Sequence, residues 1–72
     1  MKEPVEMKLE RFLTKKQILK AADLRNSEKI RKMIVEPNMI AINRSLNNSD
    51  SEYIANCVAY TICKMRGEKW QN

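Results

Sequence analysis

SDSEYIANCVAYTICKMRG, residues 49–67, is the most apolar segment of the chain, and its reading decides the fold. Ile54, Val58, Ile62 and Met65 recur at helical spacing and line one stripe, with Tyr53, Cys57 and Tyr60 beside it. Asn56, Lys64 and Arg66 supply the polar side. Ser49 and Glu52 have the spacing of a capping box, and Gly67 is a natural terminator because it enters the left-handed region without a Cβ penalty. The segment is therefore predicted to be the central core helix.

Working back toward the N-terminus, Thr14 and Gln17 form another capping box, and Leu13 with Ile18 has the spacing of a hydrophobic staple. They predict a helix over about 15–24, with Ile18, Leu19 and Ala22 on its apolar side and Lys15, Lys16 and Lys20 toward solvent. Asn26 or Ser27 can cap a second helix carrying Ile30, Met33 and Ile34. Glu36-Pro37-Asn38 is expected to end it, because proline disfavours helical geometry in the residue before it. Beyond the proline, Met39, Ile42 and Leu46 fit a short helix closed by Asn47 and Asn48. Met33-Ile34-Val35 and Ile40-Ala41-Ile42 also fit two strands around a Pro-Asn turn. Residues 5–13 suit a half-buried strand (Val5, Met7 and Leu9 alternating with charges) or a helix starting at Pro4. The expected fold is thus mostly α, a small bundle of three to four short helices. The alternative is an α+β chain with a hairpin at about 30–44.

Length and composition set the frame. Seventy-two residues allow one domain, 1–72, with 1–4 and 70–72 expected to fray. Ile, Leu, Val and Phe total 16 residues, a thin core that a partner or a second copy could complete. There is no His, so the commonest general base and metal ligand is missing. The lone Gly excludes phosphate-cradling glycine loops and a nucleophile elbow. Two Cys cannot build a Cys₄ or Cys₂His₂ zinc site in one chain. No carboxylate pair has an evident chemical task; Glu6 with Glu10, and Asp50 with Glu52, read as solvated charges or helix-start residues. No enzyme, catalytic residue, cofactor or metal is expected. Cys57 and Cys63, six apart on a helix, rise about 9 Å, beyond disulfide reach. They read as small buried hydrophobes in a reducing compartment. The longest uncharged run, Tyr53 to Cys63, is too short to span a bilayer, and the acidic N-terminus is unlike a signal peptide. A cytoplasmic protein without a membrane partner is expected.

The net charge of +5 is unevenly spread. Residues 8–32 hold nine Lys and Arg against Glu10, Asp23 and Glu28, a net of +6; residues 33–63 hold Arg44 against Glu36, Asp50 and Glu52, a net of −2. Lys15, Lys16, Lys20, Lys29, Arg31 and Lys32 could follow a nucleic-acid backbone, or simply solvate two amphipathic helices. The helix-turn-helix pattern over 17–34 fails by one residue, since Arg31 stands where an apolar side chain should be buried. Ser27-Glu28-Lys29-Ile30-Arg31 with Ile34 is similar to the second helix of ribbon-helix-helix repressors, but the helix starting at Thr14 is several residues too short for that family. The aromatics suggest another role. Tyr53 and Tyr60, seven apart, share a helical face, and Trp70 lies in a polar context, Lys69-Trp70-Gln71, where burial is harder.

Three segments resemble small phage tail-assembly chaperones. Residues 13–24 (LTKKQILKAADL) look like the opening of that family, Ile40-Ala41-Ile42 with Arg44-Ser45-Leu46 is similar to a following strand and loop, and Tyr53 to Lys69 resembles the helix ahead of its Gly-containing turn. The match needs a register shift near Asn43 and stops short of the family's C-terminal helical part. The resemblance implies a non-enzymatic phage protein, in a bacterial host's cytoplasm, acting through protein–protein contact. Two functions follow as expectations. The first is a phage or mobile-element accessory protein (adaptor, chaperone or inhibitor of a host protein) binding a protein partner or its own copy through Tyr53, Tyr60 and Trp70. The alternative is a basic nucleic-acid-binding regulator.

Overall fold

Ser51–Arg66 forms the longest helix, and every other element leans on it directly or through a neighbour. The computed structural model describes residues 3–47 and 49–70. In chain order the elements are a 3₁₀ turn Leu9–Arg11, α1 (Lys15–Leu24), α2 (Ser27–Ile30), a π segment Arg31–Val35, a 3₁₀ segment Glu36–Asn38, α3 (Met39–Leu46) and α4 (Ser51–Arg66). The helical bundle expected from the sequence is what forms, and the described residues contain no strand. The hairpin alternative at 30–44 is not adopted: Ile40, Ala41 and Ile42 lie within α3. Residues 1–2, 48 and 71–72, including part of both termini expected to fray and the Asn48 cap, lie outside the described residues.

α1 begins where the capping box places it. Thr14 Oγ1 accepts from Gln17 N–H at 3.2 Å, and Gln17 Oε1 accepts from Thr14 N–H at 2.9 Å, so two exposed donors are satisfied reciprocally. Its inward face differs from the expectation. Ala21 is buried with Ile18 and Ala22 half-buried, whereas Leu19 is 58% exposed. The face turned toward α4 is the one carrying Ala21 and Ala22, whose carbonyl accepts from Arg66. Small side chains suit such a contact, and Leu19, two residues from Ala21, points to the opposite side of the helix.

The second helix is capped by Asn26, whose Oδ1 accepts from Glu28 N–H and Lys29 N–H. Contrary to the expectation, Glu36-Pro37-Asn38 does not end the helical path. Val35, Glu36 and Met39 keep right-handed helical dihedrals, and the chain passes from α through π and 3₁₀ geometry into α3. A proline ring in regular α geometry collides with the carbonyl four residues back, and a wider turn ahead of it relieves that clash. Here Glu36 N–H donates to Arg31 O across the π turn, and Asn38 Nδ2 donates to Ile34 O at 2.7 Å. The wider turn also resets the buried stripe: Ile30, Ile34 and Val35 are inside, while Met33, expected there, is exposed.

α3 buries Ile42 completely, with Met39 and Leu46 half-buried, and ends at Asn47 in the left-handed region (φ 53°). Asp50, not Ser49, caps α4; its Oδ1 accepts from Glu52 N–H at 3.0 Å and Tyr53 N–H at 3.2 Å. A carboxylate gives charge-assisted bonds and meets the positive end of the helix dipole, so it displaces the serine. Ile54, Ala55, Cys57, Val58, Thr61 and Ile62 are buried along α4, but Met65 is 61% exposed, one turn past the last core contact. Gly67 (φ 71°) closes the helix: Gly67 N–H donates to Lys64 O and Glu68 N–H to Cys63 O, the paired bonds of a Schellman motif.

Residues 3–8 carry no regular structure, so the question left open over 5–13 resolves as an extended strap followed by the 3₁₀ turn. The expected alternation holds in part and without a sheet, since Val5 is 45% exposed. Met7 and Leu9 are buried, while Glu6, Lys8 and Glu10 face solvent. Thr61 replaces the missing strand partner. Its Oγ1 accepts from Met7 N–H at 3.0 Å and donates to Cys57 O at 2.7 Å, and Val5 N–H lies 3.4 Å from Cys57 Sγ.

Candidate functional site

A groove of about 870 Å³ opens between the α1–α2 link and the C-terminal end of α4. It lies toward the upper end of the roughly 300–1,000 Å³ range of ligand pockets. Small residues make it. Ala21 and Ala22 on α1 face Ala59 and Cys63 on α4, with Ile30 and Ile62 completing an apolar floor. Trp70 forms part of the wall, brought back along α4 by the left-handed turn at Gly67. Its indole meets the Tyr60 ring edge-on, centroids 5.6 Å apart at 86°, the favoured geometry for aromatic pairs. Lys64 Nζ stands 5.8 Å from the same ring centroid, within cation–π range.

Three cations and one acid border the groove: Arg25, Arg66, Lys69 and Glu68. Arg66 is committed internally, donating from Nη1 to Ala22 O at 3.0 Å and pairing through Nε with Glu68 Oε1 at 3.1 Å. That guanidinium ties the end of α4 to the last turn of α1 and neutralises the acid. Arg25 and Lys69 make no ion pair or side-chain hydrogen bond among the described residues. Arg25 also ends α1 at φ 51°, ψ 14°, in the left-handed region where glycine is usual and other side chains cost about 1 kcal/mol.

The residues singled out from sequence divide between this site and the rest of the surface. Tyr60 and Trp70 pair beside the groove, but Tyr53 is outside it, about 10 Å back along α4 and half-buried against the core. A hydrogen bond to Cys57 and burial raise the Tyr53 phenol above its usual value of about 10. A phenol whose pKa is higher folded than unfolded contributes stability that is complete below the unfolded value and lost as pH rises through the folded one. Tyr53→Phe is therefore expected to lessen the loss of stability above about pH 10, read from urea unfolding curves across that range.

Lys15, Lys16, Lys20 and Lys29 are exposed. Arg31 is half-buried and pairs with Glu36 at 3.8 Å, and Lys32 pairs with Glu28 at 3.6 Å, so two of the six proposed phosphate ligands already have acidic neighbours. Both cysteines are free. Cys57 is buried as expected, but Cys63 is only half-buried because it lines the groove. Arg25 and Ala59 were not foreseen as site residues; a non-glycine residue after an apparent helix end is the only sequence signal, and the groove itself leaves none.

Among the described residues no group of His, Cys, Asp or Glu could hold a metal ion, and no helix is long and apolar enough to cross a membrane. Set against models of known families, curated proteins and solved structures, the chain matches none. Its function is accordingly read from the groove.

Proposed function

We propose that this chain is a small, non-enzymatic interaction module that binds a protein partner in the groove between α1 and the end of α4. The observation carrying this reading is the groove's construction: an apolar floor of alanines and isoleucines, an aromatic wall at Trp70, and flanking cations. Apolar centres rimmed by polar groups, with aromatic and Arg anchors, are what protein interfaces use. The earlier expectation of one patch made by Tyr53, Tyr60 and Trp70 narrows to Tyr60 and Trp70, with Tyr53 contributing to the core. An adaptor, chaperone or inhibitor role in the cytoplasm of a phage-bearing host is compatible with such a site. The nucleic-acid reading retains Lys15, Lys16 and Lys20, exposed on one helix, as its support.

The exposed rim of the groove at Ser27 offers the test. A photo-crosslinking group attached to Ser27→Cys in a Cys63→Ser background should capture a protein from the native host. The same group carried by Lys15→Cys in that background, on the outer side of α1, should not. Trp70→Ala or Ala59→Leu should abolish capture at the rim. Equal capture from both positions, or capture unaffected by Trp70→Ala and Ala59→Leu, would overturn the proposal.

A further inference from the structure

We infer that the groove's occupant is an acidic peptide segment of the partner, carrying an aliphatic or aromatic anchor between carboxylates. This rests on the groove being the protein-binding site and adds the chemistry of what enters it. The floor, built from Ala22, Ile30, Ala59 and Ile62, matches an apolar side chain, and the wall offers one indole, Trp70, instead of the succession of rings on which a strand's bases stack. Above that floor the charge is one-sided. Glu68 is held by Arg66, which leaves Arg25, on the α1–α2 link, and Lys69, beyond the end of α4, as the lining charges without an ion pair among the described residues. Two cations bordering an apolar trough are complementary to a segment with carboxylates flanking its anchor. A second copy of this chain fits less well, because its +6 stretch at 8–32 would meet the same cations.

Arg25 also permits a clean test. Its backbone sits where glycine would be relaxed, and the position carries the one long cationic side chain of the α1–α2 link. Replacing it with glycine removes the cation while relieving the backbone. Arg25→Gly should therefore weaken binding while leaving the thermal midpoint at or above that of the parent chain.

The probe is a display library of random peptides panned against the whole chain, followed by titration of fluorescein-labelled synthetic hits by fluorescence anisotropy, a readout that Trp70→Ala leaves intact. Hits should carry net negative charge and at least one large apolar residue. Arg25→Gly should weaken them by about tenfold, the effect of one charge-assisted hydrogen bond. Lys69→Gln should weaken them by about threefold, as for a monodentate, solvent-exposed ion pair. Ala59→Leu, which fills the floor, should abolish binding, with a retained melting transition showing that the variant folds. Neutral or basic hits that are still blocked by Ala59→Leu would overturn the acidic occupant and leave the groove as the binding site. Hits indifferent to both Ala59→Leu and Trp70→Ala would overturn both. A thymidine homopolymer strand that binds more tightly than any peptide, and is blocked by Ala59→Leu, would replace the peptide with single-stranded nucleic acid.

Discussion

Ile54→Ala is expected to remove about 3 kcal/mol of stability, the largest loss available from a single truncation in α4. Ile54 is fully buried, in the first turns of the helix around which the others pack. Its truncation loses the transfer free energy of the missing carbons and opens a cavity between close-packed neighbours. A chain of 72 residues has in all only about 4–11 kcal/mol to lose. The thermal midpoint should fall by more than about 10 °C, read from circular dichroism melts, while the urea m-value is unchanged. Leu19→Ala is the control. Leu19 is as large and apolar but exposed on α1, so its truncation should cost less than about 0.5 kcal/mol. Similar losses from the two would contradict the assignment of α4 as the core helix.

Thr61→Val should cost about 2 kcal/mol, although the two side chains have nearly the same shape. The hydroxyl both accepts from Met7 N–H and donates to Cys57 O, so valine leaves a buried backbone donor without a partner. The consequence is local before it is global. The strap over residues 3–8 has no ladder to hold it, and a further tie to α4 is the long approach of Val5 N–H to Cys57 Sγ, at 3.4 Å. Hydrogen exchange at Met7 should therefore accelerate more than exchange along α4, and Thr61→Ser should restore much of the protection. Uniform acceleration across the chain would mean that Thr61 acts through core packing and not as the strap's anchor.

The two positions differ in how visible they are along the chain. Ile54 belongs to a stripe repeating every three to four residues, and any reading for helical period finds it. Thr61 does not stand out, because a threonine on a helix is neutral by propensity and its partner lies 54 residues away. Tyr60 and Trp70 show the same contrast. Their aromatic character marked both for contact, but their edge-on pairing depends on the turn at Gly67 directing the tail back along α4.

Pro37 shows where a local rule gives way. Taken alone it predicts a helix end, because the isolated peptide prefers extended geometry before proline. In the folded chain, burial of Ile34, Val35 and Ile42 outweighs that preference: a π turn absorbs the ring, and Asn38 (φ −111°, ψ 15°) leaves helical dihedrals just before α3. The cap of α4 shifts by one residue for a nearby reason: spacing points to Ser49, and the charge on Asp50 gives it the stronger bonds to Glu52 N–H and Tyr53 N–H.

What the sequence by itself determined are the features whose physics acts within one or two turns: α1 and its reciprocal cap at Thr14 and Gln17, α4 and its termination at Gly67, and the confinement of basic charge to 8–32. The tertiary structure alone decided which apolar residues are inside, with Ala21 buried and Leu19, Met33 and Met65 left out. It also decided that alanines from two distant helices enclose a groove, with Arg25 and Lys69 on its walls. Caps and helical period are set by neighbours along the chain, whereas burial and concavity depend on how closely helices approach, which is a property of all of them together.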